Sequence, residues 1–72
     1  HATVWNTPAA QVLVLEDSPS GVRAGAAAGL RVVGLTCGGQ PPSVLKETGA
    51  TLIVSDFTEL LGLIRQQEAA LS

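Results

Sequence analysis

Hydrophobic and polar residues occur in separate blocks along this chain, and the blocks predict alternating strands and helices. Residues 11–15 form an apolar run dominated by β-forming residues, which is typical of a strand buried on both faces. Two shorter runs, residues 31–35 and 51–54, have the same character. We therefore expect three short, mostly buried strands.

Helix start and stop residues separate these runs. Ser18 can cap a helix that has Pro19 at its first position, and we expect that helix to reach about Ala28, with Gly29 as a left-handed stop. A short helix is predicted from position 42 or 43 to Glu47, after a glycine- and proline-rich loop.

A last helix follows the third strand. Asp56 is predicted to cap it, and its apolar side chains recur at helical spacing, which indicates a helix that covers one face of a sheet. The predicted stripe comprises Phe57, Leu60, Leu61, Leu63 and Ile64.

The resulting order β-α-β-α-β-α predicts an α/β fold, a three-layer Rossmann-like parallel sheet with right-handed crossovers. Residues 1–8 show no period, so we expect an arm or leading loop there. Residues 1–7 are assigned to this arm and residues 8–72 to the domain.

Composition excludes several classes of function. The net charge is −2 and the four cationic side chains are scattered, which argues against a nucleic-acid surface. No run approaches the length of a membrane span and no signal-peptide pattern opens the chain, so the expectation is a cytoplasmic protein.

Cys37 is the only cysteine, so an intrachain disulfide is impossible. A chain of 72 residues has little stability to spare, which favours oligomers or a complementing chain.

Two adjacent carboxylates, Glu16 and Asp17, follow the first predicted strand. Ligands bind at the carboxyl ends of parallel strands, and hard oxygen ligands there suit Mg²⁺. The helix starting at Ser18 is expected to offer free N–H groups to phosphate, and small residues such as Gly21 allow it to approach the sheet closely. The alternative is that the pair is only a helix cap with a dipole-favoured charge.

The stretch "LVLEDSPSGVRAGAAAGLRVVGL" resembles the fourth motif of the haloacid-dehalogenase superfamily, in its phosphoglycolate-phosphatase and β-phosphoglucomutase-like branch. The resemblance continues from Pro8 to about Ile64. It implies that Asp17 ligates Mg²⁺, that Glu16 supports the waters of the metal, and that Ser18 lies beside them. It also implies phosphomonoester hydrolysis through an aspartyl-phosphate, with a small phosphorylated metabolite as substrate.

The other motifs of that family do not match this chain. Its nucleophilic Asp-x-Asp pair has no counterpart, because Asp17 and Asp56 are the only aspartates, and Lys46 lies downstream of the position that the family's lysine occupies. A cap domain is absent as well. The expectation is the C-terminal part of such an enzyme, with no catalytic residue of its own, weak Mg²⁺ binding and no turnover alone.

Two further hypotheses stay open. Asp56 follows a strand at the distance found for the phosphate acceptor of receiver domains in two-component signalling, a weaker resemblance. The third hypothesis is a non-enzymatic remnant that persists by self-association, because a sheet of three parallel strands leaves an open edge or an uncovered apolar face.

Overall fold

The structure, a computed structural model, describes residues 3–7 and 11–71. It is an α/β fold of four strands and three helices. In chain order these are β1 (Thr3–Asn6), β2 (Val12–Glu16), α1 (Pro19–Ala27), β3 (Val32–Leu35), α2 (Pro42–Glu47), β4 (Leu52–Val54) and α3 (Phe57–Leu71). The predicted α/β class and the order of its three strand–helix pairs are confirmed.

The four strands form one sheet in the order β1-β2-β3-β4. β2 pairs with β3, and β3 with β4, in parallel, as predicted. β1 pairs with β2 in the antiparallel direction, with Thr3 opposite Leu15 and Asn6 opposite Val12. The sheet is therefore mixed rather than wholly parallel.

The strand β1 corrects the prediction of an arm or leading loop over residues 1–8. Residues Thr3–Asn6 are a strand, whereas positions 1, 2 and 8 lie outside the described residues. Four residues are too few for a hydrophobic period to show. The pairing itself has a clear cause, since β2 would otherwise present its backbone N–H and C=O groups at an open edge.

Side chains from alternate positions of the strands form two separate cores, which gives three layers. On one face, the buried cluster contains Val14 and Val32 from the sheet, Val22 from α1, and Leu45 from α2. On the other, α3 contributes Leu60, which packs on a second cluster: Leu13, Leu15, Val33 and Val54.

The small-residue helix α1 lies close to the sheet, as its composition predicts. A Cβ built at Gly25 would lie 2.6 Å from the Cγ2 atom of Val32, a distance that real Cβ atoms essentially never show. Ser18 caps the helix, Pro19 is its first residue, and Gly29 follows it with a φ of 78°. The predicted boundaries of α1 are thus confirmed to within one residue.

The helix α3 covers its face of the sheet less completely than its apolar stripe suggests. Leu60 is buried, but Phe57 and Leu63 are 40% and 41% exposed. Phe57 contacts the ring of Trp5 edge-on, with ring centroids 5.0 Å apart, so β1 and α3 are joined by an aromatic pair.

Within the described residues, every helix is too short or too polar to cross a membrane.

The contact between Trp5 and Phe57 provides a test of whether β1 stabilises the domain. Trp5→Ala removes the half-buried ring that joins β1 to the α3 core, and we expect it to lower the free energy of unfolding by about 2–3 kcal/mol. Val4→Thr is the control: Val4 is 64% exposed, and threonine keeps the β-branched shape, so the change should stay within about 0.5 kcal/mol. Urea denaturation followed by circular dichroism measures both. Equal stability of Trp5→Ala and the wild type would show that β1 does not stabilise the domain.

Candidate functional site

The carboxylate pair lies at the carboxyl end of β2, the edge of the sheet at which the sequence predicted a site. Glu16 is the last residue of the strand and is only 4% exposed, whereas Asp17 is half-buried just beyond it. Glu16 follows Val14 in the alternation of the strand, so its side chain lies on the face that α1 covers. The two carboxylates therefore have different surroundings, as expected for adjacent residues.

The Glu16 carboxylate is held by hydrogen bonds from the residues that follow it. Its Oε1 atom accepts from the backbone N–H groups of Asp17 and Ser18, at 3.1 and 3.2 Å, and from the Ser18 hydroxyl at 3.1 Å. A buried carboxylate is costly unless donors surround it, and these donors meet that need. Glu16 therefore fixes the path of the chain as it leaves the strand.

Ser18 connects this carboxylate to the first turn of α1. Its hydroxyl donates to Glu16 and accepts from the N–H of Gly21 at 3.1 Å, which is the hydrogen bond of an N-cap. The carbonyl of Ser18 accepts from Val22 at 3.0 Å. Strand, turn and helix are thus joined through one hydroxyl group.

Several N–H groups around the start of α1 have partners within the protein. Those of Asp17, Ser18 and Gly21 bond to oxygens of Glu16 and Ser18. Pro19 has no N–H to offer. The set of donors that a phosphate could use at this turn is therefore smaller than the sequence predicts.

Gly21 is required for the Glu16 carboxylate to lie where it does. A Cβ atom at position 21 would overlap the Cδ, Oε2 and Cγ atoms of Glu16. The sequence analysis placed Gly21 near the site as one of several small residues that allow close helix packing. The structure gives it a more specific role, since it leaves room for the carboxylate beneath the helix.

Asp17 lies against the chain segment that follows β3. A Cβ on Gly38 would be 2.6 Å from Oδ2 of Asp17, so the carboxylate packs on the backbone of the 3-10 turn Thr36–Gly38. The N–H of Cys37 in that turn donates to the carbonyl of Ser55, just after β4, at 2.9 Å. The ends of all three parallel strands therefore meet around Asp17. Sequence reasoning missed Gly38, although two adjacent glycines after a strand are a signal of close approach.

The described residues do not by themselves form a magnesium site. No group of three or more His, Cys, Asp or Glu side chains within them could hold a metal ion. Asp17 offers one carboxylate at the edge, while Oε1 of Glu16 is already shared by three protein donors. Mg²⁺ keeps near-octahedral oxygen coordination, so further ligands would have to come from elsewhere.

Asp56, the alternative phosphate acceptor, acts as a helix cap. Its Oδ1 atom accepts from the N–H of Glu59 at 2.9 Å, and the Ser55 hydroxyl donates to Glu59 at 2.8 Å. The bond from Glu59 is that of an N-cap, and it confirms the predicted role of Asp56 as the cap of α3.

Comparison with known proteins adds no family to these observations. No family model matches the chain, and no solved structure gives a significant match.

The contact between Gly21 and Glu16 can be tested by adding one methyl group. Gly21→Ala should lower the free energy of unfolding by about 1–3 kcal/mol, because the methyl group displaces the carboxylate from its donors. Gly62→Ala in α3 is the matched control: no atom lies within 4 Å of its Cβ position, and alanine should stabilise that helix by about 0.5–1 kcal/mol.

A double-mutant cycle identifies the cause. If the methyl group acts on the carboxylate, Gly21→Ala should cost much less in the Glu16→Ala background than in the wild type, with chemical denaturation as the measurement. Equal costs in the two backgrounds would disprove the contact.

Proposed function

We propose that this chain is the C-terminal part of a Mg²⁺-dependent phosphatase or phosphotransferase of the haloacid-dehalogenase type, and that Asp17 is its metal-binding residue. The observation that carries the proposal is the half-buried Asp17 carboxylate at the sheet edge where the three parallel strands end. Ligands of open α/β sheets bind at that edge.

Glu16 has a positioning role in this proposal rather than a role at the waters of the metal. Its carboxylate bonds to the two N–H groups that begin the Asp17 turn, so its hydrogen bonds stabilise the backbone that carries Asp17. A ligand held in one geometry binds a metal better than one that must be ordered on binding, because less conformational entropy is lost. Ser18 and Gly21 support the same geometry from α1.

The chain alone is expected to lack turnover. Its only other aspartate caps α3, so no second aspartate is left to act as the family's nucleophile beside Asp17. Among the described residues, no group of three or more metal-binding side chains comes together, so tight Mg²⁺ binding is not expected of the chain alone. Phosphomonoester hydrolysis is therefore proposed for a complete enzyme, in which another segment or chain supplies the nucleophile and a lysine.

Magnesium titration tests the role of Asp17. Adding millimolar Mg²⁺ to the ¹⁵N-labelled chain should shift the amide signals of Asp17, Ser18 and Gly38, weakly but with saturation. Asp17→Asn should abolish these shifts. Asp56→Asn is the control, because asparagine caps a helix about as well as aspartate and the fold is retained. Unchanged shifts in Asp17→Asn would disprove the assignment.

An assay of p-nitrophenyl phosphate hydrolysis with Mg²⁺ tests the expectation that the chain alone has no turnover. The chain alone should give no turnover above that of Asp17→Asn. Turnover by the chain alone that Asp17→Asn abolishes would show that the missing motifs are not needed.

A second candidate function, an association domain, is favoured by exposed apolar side chains on the sheet. Val4 and Val12 are 64% and 51% exposed, and both lie on the α1 face near the β1 edge. If this surface associates, the sedimentation coefficient should rise with concentration, and the double variant Val4→Thr, Val12→Thr should sediment as a monomer. A wild-type chain that is monomeric at all concentrations would exclude this candidate.

A further inference from the structure

A cavity of about 280 Å³ lies at the opposite edge of the sheet from Asp17. It is formed where the second half of α3 passes over the amino ends of the parallel strands. Its apolar lining residues are Leu13, Val33, Leu52, Leu60 and Ile64. Leu13, Val33 and Leu60 are buried residues of the core beneath α3, so the cavity borders that core.

The lengths of the elements explain why the recess exists. The 15 residues of α3 span roughly 22 Å, whereas the strands beneath have three to five residues and span at most ~17 Å. The first half of the helix packs on the sheet through Leu60, and its second half lies over the cavity.

Two opposite charges lie at the rim of this cavity. Arg31 directly precedes β3, and Glu68 lies in the last turn of α3. Both side chains are exposed, and both line the same recess. Polar groups of Thr7, Thr51 and Gln67 complete the rim. The recess therefore combines an apolar floor with one cation and one anion at its mouth.

We propose that this recess binds a free amino acid with an apolar side chain. The guanidinium of Arg31 would pair with the carboxylate of the ligand, for which its planar fork is suited. Glu68 would pair with the ammonium group, and the apolar side chain would lie on the floor. Ligand pockets with a mainly apolar lining and a few polar groups begin at about 300 Å³, so the volume suits one ligand of roughly ten non-hydrogen atoms.

A ligand with only one charge fits this rim less well. A ligand with only a carboxylate would pair with Arg31 but be repelled by Glu68. A ligand with only an ammonium group would pair with Glu68 but be repelled by Arg31. An uncharged apolar molecule would leave both rim charges without a partner. The site is independent of the proposed magnesium site, because the two lie at opposite ends of the same strands.

Three ligands that share a phenyl ring test the proposal. L-Phenylalanine carries both charges, 3-phenylpropionate carries the carboxylate alone, and phenethylamine carries the ammonium alone. Methyl signals of Leu13, Val33 and Ile64 should shift with saturation, and L-phenylalanine should bind the most tightly, with a dissociation constant on the order of 1 mM. We expect each single-charge ligand to bind about 10-fold more weakly.

Charge-removing variants assign the contacts. Arg31→Gln should weaken L-phenylalanine and 3-phenylpropionate about 10-fold and leave phenethylamine unchanged or improved. Glu68→Gln should weaken L-phenylalanine and phenethylamine instead. Arg23→Gln and Glu47→Gln are the matched controls, because both side chains are exposed on helices that cover the other face of the sheet.

Three outcomes would overturn the proposal. The first is the absence of saturable methyl shifts, which would mean that the recess is only an underfilled core. The second is tighter binding of a single-charge ligand than of L-phenylalanine. The third is a set of methyl shifts that follow protein concentration and not ligand, which would mean that a second copy of the chain occupies the recess. None of these results depends on whether Asp17 binds magnesium.

Discussion

The carboxylate of Glu16, buried beneath a glycine, is the interaction on which the carboxyl end of β2 depends. It holds the backbone of Asp17 and Ser18, and through the Ser18 hydroxyl it is joined to α1. The absence of a side chain at Gly21 is what makes this burial possible. Exchange of either residue disturbs strand, turn and helix together, because a buried carboxylate without donors is costly. This dependence is stronger than a helix cap alone would require, since the cap is Ser18 and Glu16, the last residue of β2, lies two residues before it.

The same local rules explain how much of the fold was predictable. Serine, proline and glycine at the ends of α1 act within a few residues, and the structure places that helix within one residue of its predicted end. The parallel strands each begin one residue later than predicted, at Val12, Val32 and Leu52. β1 was not predicted because the interactions that form it are not local. The pairing of Thr3–Asn6 depends on an edge of β2 and on the ring of Phe57, more than fifty positions away.

The site was predictable in place but not in its bonding. Carboxylates after a buried strand indicate the edge of an α/β sheet, and Glu16 and Asp17 lie there. The sequence could not show which of the two faces inward, because that depends on the register of β2 and on the space above Gly21. Nor could it show that the first N–H groups of α1 are used by neighbouring side chains. The cavity beneath the second half of α3 had no sequence signal, since its lining residues come from five separate segments of the chain.

The antiparallel strand β1 constrains how any complementing chain could act. The resemblance implies that the family's nucleophile lies on a strand beside the one that carries the Glu-Asp pair, and in this chain that edge of β2 is already paired with β1. β3 occupies the other edge. An added strand could reach β2 only by displacing the four residues of β1, of which Trp5 alone packs against the buried core. The cost of that exchange is therefore set mainly by one aromatic contact, and the stability of the Trp5–Phe57 pair determines whether this edge of the sheet is open to a partner.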